Sequence, residues 1–149
     1  MSYTDKLVDK LNDVLKRSYD AMQGYENAID DMKDELLKNF FKNQVMDRRR
    51  FAQELTTEVK TLGGEPATEG TFKASLHRKW MDLKSSLASD NTEEVLEECI
   101  RGEEAALVDY QEIMKSDLSL PTSVAKMLKN HRVSIEDSIV KLKMMEKVA

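Results

Sequence analysis

Four polar side chains that interrupt apolar helical stripes are the main candidates in this sequence for a chemical role. They are Arg48 and Glu103, each near the middle of its stripe, and His131 and Ser138, on either side of the middle of the last stripe. A buried Arg or Glu without a partner is very unfavourable, so we expect Arg48 and Glu103 to meet inside the fold. A structural ion pair is the favoured interpretation of this polar layer. A ligand-binding or catalytic role at the same depth is the alternative.

Carboxylates and histidines on helices could also hold a metal ion. Carboxylate di-iron sites in helical bundles need a Glu on each of two helices and a Glu-x-x-His on each of the other two. Three residues before His77 stands Ala74. Three residues before His131 stands Leu128, so the chain has no Glu-x-x-His. The sequence therefore predicts no di-iron enzyme and no resident cofactor.

An unorthodox iron or manganese site is the alternative to a purely structural polar layer. Its ligands would be Glu103 and Glu136, with His131 or Asp20 as a further donor. Carboxylate and imidazole groups suit both metals. Metal retained by protein prepared without a chelator would favour this alternative.

Charge and composition argue against several classes of partner. The formal net charge is −5, and three consecutive arginines, Arg48 to Arg50, point about 100° apart on a helix and make no flat phosphate-binding patch. We therefore expect neither a nucleic acid nor a membrane partner. The single cysteine, Cys99, excludes an intramolecular disulfide and fits a reducing cytoplasm. Neither a phosphate-binding glycine loop nor a nucleophile elbow is present, so no enzymatic activity is predicted.

The elements that must position these residues are long amphipathic helices. Apolar residues recur at alternating steps of four and three, which is typical of one face of a helix in a bundle. This periodicity predicts helices over 4–31, 34–62, 92–115 and 121–147. Thr4 and Asp5 are the expected cap of the first helix, and Pro121 the expected first residue of the last one. Gly24, inside the first stripe, predicts a close helix contact.

The segment 63–91 separates the two pairs of long helices. Gly63 and Gly64 favour a left-handed helix end there. A short amphipathic helix is predicted further along, from the spacing of Phe72, Leu76, Trp80, Leu83 and Leu87. The short links within each pair predict two antiparallel hairpins joined by this crossover. The fold class is thus all-α, a four-helix bundle forming one domain over 1–149.

Several short motifs carry a resemblance to a known family. They are Gly24-Tyr25-Glu26, Leu62-Gly63-Gly64-Glu65-Pro66, the stretch 76–84 and the stretch 98–103. Together, in this order and spacing, they resemble a bacterial ferritin-like family of unknown function. The resemblance implies the ferritin-like bundle fold. It also implies a small cytoplasmic protein that is stress-associated or acts through contacts with a protein partner, which could be a second copy of the chain.

The resemblance also bears on the metal site. In iron-binding relatives of the bacterioferritin and rubrerythrin type, a glutamate ligand falls at Arg48 and a histidine ligand at Phe51. Glu103 and Glu136 stand where such relatives carry two carboxylates, but Ile139 follows Glu136 where a histidine would be needed. The resemblance therefore implies that the Arg48 cation fills part of the volume of a metal ion and neutralises Glu103.

Overall fold

The computed structural model describes residues 2–71, 73–116 and 118–148. Within these ranges the regular structure is helical, in five helices: α1 (Tyr3–Ile29), α2 (Glu35–Thr61), α3 (Ala74–Ala88), α4 (Thr92–Lys115) and α5 (Thr122–Val148). The all-α prediction is confirmed, and each long helix begins and ends within two residues of its expected bounds. Phe72, assigned to the stripe of the short helix, lies outside the described residues.

The helices pack in two hairpins, α1 with α2 and α4 with α5. The first hairpin is antiparallel, because Tyr25 near its loop meets the rings of Phe40 and Phe41. Further contacts join α2 to α5 and α1 to α4, and α3 lies against α1 and α4. The long helices thus form a bundle with the short helix on one side.

Two buried apolar clusters fill the bundle. The cluster at one end includes Leu11, Leu55 and Leu128, and the cluster at the other includes Tyr25, Phe41 and Leu96. Leu11, Leu55, Phe41 and Leu128 are fully buried, as the stripes predict. This burial supplies the main driving force for folding, roughly 1.5–3 kcal/mol for each fully buried large apolar side chain.

Local sequence determines how the helices end. Gly63 adopts a φ of 82°, and the N–H groups of Gly63 and Gly64 donate to the carbonyls of Lys60 and Val59. This is the Schellman pattern that a glycine pair favours, and it confirms the predicted left-handed end of α2. The prediction for the N-cap of α1 was wrong. Ser2, and not Thr4 or Asp5, is the N-cap, and Asp5 completes a capping box from the third helical position.

Pro121 is placed one position earlier than expected. It directly precedes α5, and its carbonyl accepts the N–H of Ala125 at 2.9 Å. Proline has no N–H to donate, so this position before the helix suits it as well as the first turn does.

The crossover is tied to α1 by two side chains about two turns apart. The Asn12 amide donates to the carbonyl of Glu65 and accepts the N–H of Ala67, both at 2.9 Å. The Asp20 carboxylate accepts the backbone N–H and the hydroxyl of Thr71, at 2.9 and 2.7 Å. Backbone groups that no helix can satisfy are thus paired along α1.

Gly24 marks a close contact, as its position in the stripe predicts. A Cβ atom at Gly24 would overlap the indole ring of Trp80 on α3. Glycine therefore lets the short helix approach α1 closely.

No helix in the described ranges has both the length and the apolar character needed to cross a lipid bilayer.

Candidate functional site

The centre of the candidate site is a buried ion pair between α2 and α4. Arg48 Nη2 lies 2.7 Å from Glu103 Oε2, and the two side chains are 5% and 1% exposed. The other carboxylate oxygen of Glu103 accepts the hydroxyl of Tyr25 on α1, at 2.5 Å. Both oxygens of Glu103 are thus engaged, which meets the requirement that a buried charge be paired and hydrogen-bonded. The expected meeting of Arg48 and Glu103 is present.

The surroundings of this pair set its protonation. Burial, followed by the Glu103 carboxylate, raises the pKa of Tyr25, so its hydroxyl stays a donor. Burial by itself would lower the pKa of Arg48, but Glu103, Tyr25 and Tyr110 together outweigh that effect and hold the pKa above its ordinary value. Burial and then Glu103 also raise the pKa of Cys99, which is therefore a thiol and not a nucleophilic thiolate at neutral pH.

Ser138 belongs to a second polar contact, between α2 and α5. Gln44 Nε2 donates to Ser138 Oγ at 2.8 Å, and this hydroxyl donates to the carbonyl of Ser134. Gln44 Oε1 is buried and has no hydrogen-bond partner among the described residues. Gln44 was not predicted from the sequence as part of a polar contact, although it lies one turn before Arg48 on the same face of α2. That spacing was the signal that could have identified it.

His131 belongs to a third polar contact, which joins three helices. Its Nε2 lies 2.8 Å from Glu54 Oε1 and its Nδ1 lies 3.0 Å from the hydroxyl of Tyr110. The ring stacks on Phe51 with centroids 4.0 Å apart. Because a carboxylate only accepts, Nε2 carries a proton, and in the neutral ring Nδ1 accepts the Tyr110 hydroxyl. Glu54 and Tyr110 were also missed from sequence, because their role depends on which helices face each other.

Electrostatics keep His131 neutral. Burial lowers its pKa below the ordinary value, and Arg50 and Arg48 add to this shift, while Glu54 opposes it. Arg48 also lies over the ring of Phe51, at 5.3 Å from the centroid. Phe51 therefore lies between the Arg48 pair and the His131 contact.

The carboxylates proposed as metal ligands are not brought together. Both oxygens of Glu103 are occupied by Arg48 and Tyr25. Glu136 is exposed on α5 and lies 3.2 Å from Arg132, one turn away. Asp20 is engaged by the crossover. Across the part of the chain that the structure describes, no three His, Cys, Asp or Glu side chains converge on a common point. The residues therefore do not fit a carboxylate metal centre.

Open space lies away from the polar side chains. A cavity of about 220 Å³ is found where α2 and α4 begin and α5 ends, with Leu36, Leu37, Leu96 and Met145 among its walls. Arg48 and Glu103 do not line it. The polar side chains of the candidate site are thus paired with one another and lie apart from this cavity.

The sequence matches the model of a protein family. The model of a family described as "Domain of unknown function (DUF2383)" matches residues 6–116. The matched range includes Arg48 and Glu103 and ends before α5, which carries His131 and Ser138. No curated protein matches the sequence.

Proposed function

This chain belongs to the DUF2383 family, and we propose that it is a ferritin-like bundle without enzymatic activity that acts in the cytoplasm through contacts with other proteins. The observation that carries the proposal is the buried pair of Arg48 and Glu103. A guanidinium 2.7 Å from the carboxylate supplies the positive charge that Glu103 needs in a dry interior.

The resemblance to ferritin-like proteins relates this ion pair to a metal site. Arg48 and Phe51 stand where iron-binding relatives carry a glutamate and a histidine. An arginine in place of a glutamate replaces a metal ligand by a cation, which repels metal ions. The connectivity of two hairpins with α3 in the crossover supports the same fold assignment.

The outer face of α5 supports a role through protein contacts. Val133, Val140 and Met144 follow one another at spacings of seven and four and are 44%, 56% and 62% exposed. These spacings place them on one side of the helix, opposite the buried stripe that includes Ile135 and Leu142. Adjoining exposed apolar side chains, such as Val140 and Met144 one turn apart, are suited to contact with another protein.

Elemental analysis of purified protein tests the absence of a metal centre. The protein would be produced in medium supplemented with iron and manganese and purified without chelator. We expect far less than one metal ion per chain, because Arg48 and Tyr25 occupy both oxygens of Glu103. The variant Glu103→Gln, which keeps an acceptor for Tyr25, serves as the matched control. Near-stoichiometric iron or manganese in the wild type that is lost in Glu103→Gln would overturn the proposal in favour of a metalloprotein.

A further inference from the structure

The short helix α3 buries fewer residues than its neighbours. Its buried residues are Leu83, Ser86 and Leu87, whereas each long helix buries a full stripe. It packs on α1 and α4 and covers the groove between them. Segments with few buried apolar contacts are the ones that open locally while the rest of a protein stays folded.

The ends of α3 lack the usual stabilising features. Its N-cap is Lys73, which makes no side-chain hydrogen bond to the first turn. No acidic residue lies in the first turn and no basic residue in the last, while His77, Arg78 and Lys79 follow close to the N-terminus. The helix dipole is therefore uncompensated at both ends. A helix of 15 residues is marginal on its own, so α3 depends on its packing.

The packed position of α3 also carries a local penalty. The indole N–H of Trp80 is buried without a hydrogen-bond partner in the described ranges. Water would satisfy this donor if α3 moved away. This penalty is therefore relieved when the helix opens.

The contacts that oppose opening are the burial of Leu83 and Leu87 in the apolar cluster and local contacts of Trp80 and Lys84. Trp80 covers Gly24 and meets the ring of Tyr25 edge-on, with centroids 5.4 Å apart. Lys84 lies 3.4 Å from Asp31, but both side chains are 42% exposed, and such pairs contribute little to stability. The chain before α3 stays attached to α1 through the bonds from Asp20 to Thr71.

Beneath α3 lies Tyr25, whose ring contacts Trp80. Tyr25 and Cys99 belong to the same apolar cluster as Leu83 and Leu87. The hydroxyl of Tyr25 leads directly to Glu103. Displacing α3 would therefore bring water to Tyr25 and Cys99, both almost fully buried in the closed form.

We propose that α3 is a lid that opens as a unit, with the four long helices still folded, and that its opening exposes Tyr25 and Cys99 to solvent. This inference does not depend on the proposed function, because it rests on the packing of α3 and on the capping of its ends.

The single cysteine provides the test. Cys99 is the one thiol of the chain, so its reaction with 5,5′-dithiobis(2-nitrobenzoic acid) in the intact protein reports exposure at one position. Opening of α3 alone exposes little surface, so we expect a labelling rate that scarcely changes with urea below the unfolding transition. We also expect this rate to exceed the rate that global unfolding, measured separately, would allow.

Two substitutions should move the labelling rate in opposite directions. Lys73→Asp supplies the missing N-cap and an acidic charge at the dipole, and should slow labelling about fivefold. Trp80→Ala removes the contacts with Gly24 and Tyr25, and should accelerate labelling about tenfold. Lys42→Asp, at an exposed position of α2, makes the same charge change away from α3 and should leave the rate unchanged.

Two results would overturn the proposal that α3 is a lid. One is a labelling rate in the wild type that follows global unfolding at every urea concentration. The other is an equal effect of Lys73→Asp and Lys42→Asp. Because the lysine variants alter only exposed positions, they decide the matter even if Trp80→Ala fails to fold.

Discussion

At the scale of single residues, Arg48 and Glu103 stabilise each other in a place where neither charge would be tolerated alone. Their burial is nearly complete, and Tyr25 completes the hydrogen bonding of the carboxylate. A buried pair of this kind does not by itself make a protein more stable than apolar packing would. Its removal one partner at a time is nevertheless destabilising, because the remaining charge has no counterion.

A double-mutant cycle measures this dependence. We expect Arg48→Met to lower the free energy of unfolding by about 3–5 kcal/mol, because it leaves Glu103 buried without a cation. The double variant Arg48→Met/Glu103→Gln should recover most of that loss, since the amide is neutral and still accepts the hydroxyl of Tyr25. Urea unfolding of the wild type, Arg48→Met, Glu103→Gln and the double variant gives the coupling energy. A double variant as unstable as Arg48→Met would contradict this account.

His131 predicts a dependence of stability on pH. Its pKa is lowered in the folded protein by burial and by Arg50 and Arg48, so the unfolded chain binds the proton first. The stability that the neutral ring contributes is therefore present above the unfolded pKa of about 6.5 and is lost as the pH falls below it. The loss should approach about 1.4 kcal/mol per pH unit.

Chemical unfolding between pH 7.5 and pH 5 is the measurement, and the comparison of variants isolates the residue. His131→Gln should flatten the pH profile, whereas His77→Gln, at an exposed position on α3, should keep the wild-type slope. A wild-type profile that is unchanged in His131→Gln would assign the acid sensitivity to other groups.

At the scale of elements, the helices differ in how completely their ends are satisfied. α1 has a capping box from Ser2 and Asp5, α2 is capped by Asp34 and α4 by Asn91. Each of these side chains accepts an N–H that the helix itself leaves free. α3 has no such bond at Lys73. Together with the smaller buried face of α3, this contrast explains why capping that helix should suppress the proposed opening.

At the scale of the whole molecule, the four long helices enclose the polar side chains and turn an apolar row outward on α5. The net charge of −5 keeps copies apart at long range but does not prevent a contact through an apolar surface. The proposed protein contacts are therefore expected to involve Val133, Val140 and Met144.

The surface of α5 can be tested without disturbing the core. Val140→Lys/Met144→Lys changes two exposed residues and should leave the free energy of unfolding within about 0.5 kcal/mol per substitution. The variant should lose the proteins that co-purify with the wild type, or its self-association in sedimentation velocity, because a charge replaces apolar contact. Val108→Lys makes the same kind of change on α4 and is the matched control. Unchanged partners in the α5 variant would exclude this surface.

The helices themselves follow from local sequence. Period and glycine placement predicted all four long helices within two residues, because an apolar stripe and a left-handed glycine act within a few residues of the chain. The N-cap of α1 was predicted at the wrong residue. Ser2 and Thr4 are both good cap residues, and residue type alone does not decide at which of them the helix begins.

The sequence by itself determined which residues face inward. Arg48, Glu103, His131 and Ser138 are all buried, as their places in the stripes predict. Only the tertiary structure decided their partners. Tyr25 joins Arg48 and Glu103, whereas Glu136 stays outside. The physical reason is that periodicity gives the face of a helix but not its height against a neighbour distant in sequence. That height is set by the packing of all the helices together.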